Sequence, residues 1–286
     1  MSGDRLQVGA LKVLGVLPAR AARATATLLY VLLYRIAGYR KGVVTENLKS
    51  VFDSGNAKEL TLQRENFYRH IATLLLEISR TPHLSPAQLQ RRVRVSNPDL
   101  VAKVSNDFSQ TVLILSLHQG NWEWLLSGVA ATLEQPLHVV YKPLHNTGVD
   151  DYMRGARERF GCRAIPVADL GSDLVAMRRT PRLLVMAADQ APVADERQHT
   201  CKFLGRETAF HAMPGELAAR LRLPVLFARC HRATESHYDV EFQVIADGES
   251  DIEASEITAR YAACAESAVL AQPETWLWSH RRWRSS

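Results

Sequence analysis

Thr111-Val112-Leu113-Ile114-Leu115-Ser116-Leu117 runs directly into His118-Gln119-Gly120-Asn121-Trp122-Glu123. An unbroken apolar run of this kind is the pattern of a strand buried on both faces, as in a parallel sheet covered by helices. It ends in a histidine, a Gly-Asn turn follows, and Trp122 to Leu133 reads as a helix. His118 therefore stands where a strand hands over to a helix, and open α/β sheets bind ligands beyond the carboxyl ends of their strands. Glu123, on the first turn of that helix, is close enough to turn back toward the imidazole. A carboxylate there would hold the proton of one ring nitrogen and leave the other to take a proton from a substrate.

Spacing alone does not single out this pair. With 10 histidines and 30 acidic residues in 286, roughly one His-x4-Asp/Glu match arises by chance. The chain has further matches at His145…Asp150, in an apparent loop, and at His211…Glu216, entering a helix across Met213-Pro214. Only His118/Glu123 follows a buried strand, and context is what confirms a motif. The competing reading is a histidine that closes the strand–helix turn without chemistry.

Working outward, strands alternate with helices from about residue 91 onward. Val93–Val95, Thr111–Leu117, Leu137–Tyr141, Arg163–Val167, Leu183–Ala187, Pro224–Cys230 and Tyr238–Ile245 read as strands, with helical patterns between them. This grammar predicts an α/β fold with a mostly parallel central sheet flanked by helices. Before it, Val43–Phe52 and the amphipathic Lys58–Arg80 read as helices, separated by a turn at Asp53-Ser54-Gly55-Asn56. Residues 43–286 are expected to form the α/β domain, with 43–90 as its helical lead-in.

Residues 1–42 are expected to form an apolar helical N-terminal segment. Pro18 divides it, and Lys12, Arg20, Arg23 and Arg35 interrupt it. Its longest uncharged run, Ala24–Tyr34, is 11 residues, short of the ~20 that span a bilayer. Leu28, Leu29, Leu32, Leu33 and Ile36 form an apolar stripe edged by basic residues, the pattern of a helix pair lying in the headgroup region. An ordinary core helix has the same stripe.

Composition bounds the rest. The chain is 47% hydrophobic and 23% charged with a net charge of +5, a globular composition. The mild basic excess suits a membrane surface, an acidic carrier protein or a phosphorylated ligand, and it is too small to argue for nucleic acid. Cys162, Cys201, Cys230 and Cys264 form no CxxC pair, so there is neither a zinc signature nor a disulfide framework, and a reducing compartment fits.

Asp189 ends the second unbroken strand and Tyr141-Lys142-Pro143 leaves the next, so all can face the crevice of His118. Arg154 and Arg157 share a helix face; Arg159 points elsewhere. The polar stretch Gln190–Thr200 reads as a lid or substrate loop. The chain has no G-x-S-x-G elbow, P-loop or G-x-G-x-x-G, and no cysteine sits beside the His/Glu pair. A general base without a protein nucleophile points to a transferase in which a substrate hydroxyl or amine attacks directly.

The block HQGNWE, Tyr141-Lys142-Pro143-Leu144-His145-Asn146, Arg157-Glu158-Arg159-Phe160-Gly161, Ala187-Ala188-Asp189-Gln190, Phe203-Leu204-Gly205-Arg206 and Trp276-Leu277-Trp278-Ser279-His280 occur in that order. Together they resemble the bacterial lipid A lauroyl/myristoyl acyltransferases, within the lysophospholipid acyltransferase superfamily, over nearly the whole chain. The resemblance implies an HX4D/E site with His118 as general base and Glu123 as its orienting carboxylate. It implies substrate-binding roles for Arg157, Asp189, Asn121, Tyr141 and Lys142, with no metal or cofactor. The implied donor is an acyl thioester of acyl carrier protein or coenzyme A. The implied acceptor is a membrane lipid hydroxyl at the cytoplasmic face of the bacterial inner membrane, with a lipid A-type glycolipid foremost. The rival acceptors are lysophospholipids, other glycolipids and ornithine lipids, and the rival classes a thioesterase or a non-catalytic lipid- or carrier-binding protein. The charged Asp195-Glu196-Arg197 departs from the family's usual loop and bears on acceptor choice. Trp276, Trp278 and Trp283 read as core or membrane-interface residues, and Arg281, Arg282 and Arg284 as a solvated basic tail.

Overall fold

A computed structural model describes residues 2–52, 55–193 and 195–283. Helices α1 (Ser2–Gly15) and α2 (Ala19–Tyr30) lead, and α2 continues through a π-helical turn at Val31–Ile36. Helices α3 (Lys41–Phe52), α4 (Ala57–Arg80) and α5 (Pro86–Gln90) complete the helical part. Then come β1 (Val93–Val95), α6 (Asp99–Val104), β2 (Val112–Ser116), α7 (Trp122–Thr132), β3 (Leu137–Tyr141), α8 (Thr147–Glu158), β4 (Cys162–Pro166), α9 (Leu170–Ala176) and β5 (Leu183–Ala187). A separate hairpin, β6 (Gln198–Phe203) and β7 (Arg206–His211), precedes α10 (Met213–Leu221), β8 (Val225–Thr234), β9 (His237–Ala246) and α11 (Ala254–Ala271).

The main sheet has the order β1-β9-β8-β2-β5-β3-β4. Strands β8, β2, β5, β3 and β4 run parallel, with β2 and β5 central. Both faces of β2 are buried, and its side chains alternate between two cores. Leu113 and Leu115 join the layer of α4 and α11, while Val112 and Ile114 join that of α7. This double burial is what the unbroken apolar run encodes.

The α/β class with a mostly parallel sheet flanked by helices holds, and one pair departs from it: β9 returns antiparallel to β8, while β1 pairs parallel to β9. Only the residues Glu235-Ser236 separate β8 from β9, and a connection that short joins only antiparallel neighbours. The expected apolar N-terminal segment needs a correction: it is helical, but among the described residues no helix is long and apolar enough to cross a membrane. Helix α1 has 14 residues, about 21 Å, and α2 has 12 before its 6-residue π-helical continuation; Lys12, Arg20, Arg23 and Arg35 interrupt the two. Its stripe is also shared between two surroundings. Leu29 and Leu33 pack on the core, whereas Leu28, Leu32 and Ile36 face outward. Tyr34 stacks on Tyr68 of α4, so part of this segment is fixed to the domain.

The polar stretch after Asp189 ends in regular structure. From Gln198 it forms the first strand of a hairpin whose Phe203 and Phe210 enter the core. The Asp53-Ser54 part of the expected turn and Arg284 of the expected tail lie outside the described residues. Within that tail Arg282 is buried, donating to the Ala209 carbonyl at 2.7 Å and lying over the Phe210 ring.

Candidate active site

Strands β2 and β5 are in register through Ser116 and Ala187, so the residues two beyond each, His118 and Asp189, emerge side by side. The Asp189 carboxylate takes His118 Nδ1 at 2.7 Å and the His118 backbone N–H at 3.1 Å. A third donor, the Trp276 indole N–H, reaches it at 2.8 Å. Asp189 is buried, and burial favours its neutral form. The adjacent imidazole and these three hydrogen bonds outweigh that and pull its pKa down to about 2. For His118, burial opposes the charge, but Asp189, with a smaller contribution from Glu123, raises its pKa above the usual histidine value. With Nδ1 engaged, Nε2 is the nitrogen left for substrate, and the Gln190 amide lies 3.5 Å from it.

Glu123 does not touch the imidazole. It forms a bidentate pair with Arg157 of α8, with Nε to Oε2 at 2.8 Å and Nη2 to Oε1 at 2.7 Å. Both side chains are largely buried, and the carboxylate raises the arginine's pKa against the cost of burial. The hydrogen bond expected from Glu123 to His118 is thus made by Asp189 from another strand. Tyr141, at the end of β3, lies beneath the guanidinium, 5.3 Å from its ring centre, and donates to Asp150 at 3.0 Å. Lys142 follows it, exposed. Asn121 is fully buried, and its side chain is already engaged: Oδ1 caps α7 through the Trp124 N–H and Nδ2 donates to Glu77. Its role in the geometry is to hold the turn.

The other two His-x4-Asp/Glu matches pair elsewhere. Asp150 accepts from Tyr141 and from the Leu144 N–H, while His211 pairs with Glu196 and Glu216 with Arg197.

The turn itself is over-determined. Gly120 has φ of +62°, and a Cβ there would come within 2.7 Å of the Cys230 carbonyl oxygen, so only glycine fits. The segment after α11 clamps the turn from the other side: Gly120 N–H donates to Thr275, Leu277 N–H to His118, and Gln119 bridges to Trp276. Trp276 is therefore a residue of the site as well as of the core. Its position 87 residues beyond Asp189 leaves no local signal of that contact.

Two neighbouring strand ends thus present an imidazole oriented by a buried carboxylate, with a fixed cation–carboxylate pair beside it. The group can accept a proton at one aimed nitrogen and hold negative charge close by. A family model described as bacterial lipid A biosynthesis acyltransferase matches residues 2–285. A comparison with curated proteins finds no match. The protein is an acyltransferase of lipid A-type biosynthesis, and the chain belongs to the bacterial lipid A biosynthesis acyltransferase family.

Proposed function

We propose that the protein moves a fatty acyl group from an acyl carrier protein or coenzyme A thioester to a hydroxyl of a lipid A-type glycolipid, with His118 as general base. The observation that carries this reading is the 2.7 Å contact between His118 Nδ1 and Asp189, which leaves Nε2 as the proton acceptor. As the acceptor oxygen attacks the thioester carbonyl, its proton passes to Nε2 and a C–O bond forms. The tetrahedral oxyanion then collapses, the C–S bond breaks, and the imidazolium returns the proton to the departing thiolate. Asp189 stabilises the transient imidazolium, the part played by the carboxylate in serine-protease triads. Glu123 holds Arg157, whose Nη1 then serves the oxyanion or a phosphate of donor or acceptor. Tyr141 and Lys142 line the donor's approach, and backbone amides after Gly120 are the other oxyanion donors.

Residues 1–42 serve as the membrane-associating segment and 43–286 as the catalytic domain. The exposed Leu6, Val13, Leu28 and Ile36, with basic residues among them, suit a peripheral position at the cytoplasmic face of the inner membrane.

The test is acyl transfer from dodecanoyl-acyl carrier protein to an under-acylated lipid A in mixed micelles, followed by mass spectrometry, for wild type and His118→Ala. Acylated lipid A made by wild type and lost in the variant is the expected result. Free fatty acid alone identifies a thioesterase. Unconsumed thioester with either donor, across several chain lengths, leaves binding without catalysis and ends this reading.

A further inference from the structure

The face of α4 that packs under the catalytic turn is apolar through Phe67, Ile71 and Leu74, yet it carries His70 and Glu77 among them. The two are seven residues apart, two helical turns, and so share that face. Both are buried, a costly placement unless their polar atoms are matched. Each has one partner in the turn and one outside it. His70 Nδ1 accepts from Arg232 at 3.2 Å, so Nε2 carries the proton and donates to the Gly120 carbonyl at 3.1 Å. Glu77 Oε2 accepts from Asn121 Nδ2 at 2.9 Å and from the Tyr238 hydroxyl at 2.7 Å. Burial, reinforced by Arg232, pushes the His70 pKa down to about 3, so the ring is neutral throughout the working pH range.

We propose that His70 and Glu77 are positioning residues of the acyl transfer, which hold the Gly120 carbonyl and the Asn121 side chain and so fix the turn that carries His118. The inference rests on the general-base reading of His118. In a trans peptide the N–H points opposite the carbonyl. Holding the Gly120 carbonyl against α4 therefore directs the Asn121 N–H away from α4, and Asn121 in turn sets the first turn of α7, where Glu123 begins. One bond from α4 to the carbonyl of that peptide unit and one to the side chain of the residue that follows together hold the position and the tilt of the turn.

The two amide replacements of His70 separate this role from simple packing. Glutamine places its amide nitrogen where Nε2 lies and keeps the donor to Gly120. Asparagine reaches only the Nδ1 position and keeps the contact to Arg232. In the acyl-carrier-protein assay, His70→Gln is expected to stay within a few-fold of wild type. His70→Asn and His70→Leu are expected to lose about 10²-fold in kcat, the scale of a misplaced catalytic group, with KM unchanged. Glu77→Gln, which retains an acceptor oxygen, should exceed Glu77→Leu in kcat by a similar factor. Asp173→Asn, in the buried 2.7 Å pair with Arg182 at the opposite end of β5, is the control: it should lower the melting temperature and leave kcat intact. Equal activity of the asparagine and glutamine variants would overturn the proposal, as would kcat losses that merely track melting temperature along one line with Asp173→Asn. If His118→Ala, run alongside, keeps full activity, the general-base reading fails while the asparagine–glutamine order still judges His70.

Discussion

His118–Asp189 joins the ends of two neighbouring strands, whereas Glu123–Arg157 joins two helices. Each has a contact of 2.7 Å. They differ in what a proton does to them. The first contains an imidazole whose charge changes near neutral pH, so it can take a proton and return it. The second pairs a carboxylate with a guanidinium, which is charged throughout the working range and so holds a fixed field instead of passing a proton. The two carboxylates thus have different tasks, set by the partner that each meets.

Asp189→Asn breaks the first pair and should have the largest effect. An amide there holds the imidazole without stabilising its charge, so kcat should fall about 10³- to 10⁴-fold, as when a triad carboxylate is neutralised. Asp189 also raises the His118 pKa, so the acid limb of the residual kcat/KM profile should move to lower pH. A limb that stays in place would mean that another group is titrating.

Glu123→Gln breaks the second pair and should come next. It leaves the buried Arg157 cation without its carboxylate, at a cost of about 3–5 kcal/mol of stability, read by urea denaturation. Arg157 then loses its aim and kcat should fall roughly 10²-fold, the worth of one electrostatic donor. The acid limb should shift less than in Asp189→Asn. A shift as large as that variant's would return to Glu123 the orienting role that its spacing from His118 suggests.

Trp276→Phe removes one hydrogen bond to Asp189 while keeping an aromatic ring in the core. A neutral donor to a buried charge is worth about 1.5 kcal/mol, so kcat should drop roughly tenfold with little change in KM. An unchanged kcat would make the indole a packing element alone.

How much of this was legible in the sequence follows from the range of the interactions involved. The buried run Thr111–Leu117 and its histidine are local facts, and so were the two central strands and their order in the chain. Glu123 was legible as a candidate because it lies five residues from His118. Its actual partner, Arg157, lies 34 residues away on α8, and nothing local distinguishes an imidazole from a guanidinium as the group a carboxylate will meet. Asp189 was placed at the right strand end, but its bond to Nδ1 depends on β2 and β5 being neighbours, which is a property of sheet order. The tryptophans near the C-terminus read as core or membrane-interface residues; Trp276 and Trp278 are buried in the core and Trp283 packs against it. That one indole N–H is spent on Asp189 required the fold. The basic tail failed differently: Arg282 has the composition of a solvated residue, but the Phe203 and Phe210 rings of the hairpin accommodate its guanidinium.

The smallest expected effect is in stability against pH, and it separates the pairs without any substrate. Asp189, at about 2 in the folded state against an ordinary ~3.9, adds stability that is complete above about pH 4 and lost as pH falls through 2. His118 is raised, so its contribution is complete below its unfolded value of ~6.5 and lost as pH rises through its higher folded value. The first pair therefore supports the fold most between about pH 4 and 6.5, and declines on the alkaline side. The cation of the second pair, Arg157, stays charged across that window. Asp189→Asn should abolish the alkaline decline in melting temperature, while Glu123→Gln should lower the whole curve and keep most of its slope. If instead Glu123→Gln flattens the alkaline limb as fully as Asp189→Asn does, the imidazole draws its charge stabilisation equally from both carboxylates, and the division of tasks between the two pairs gives way to a single coupled site.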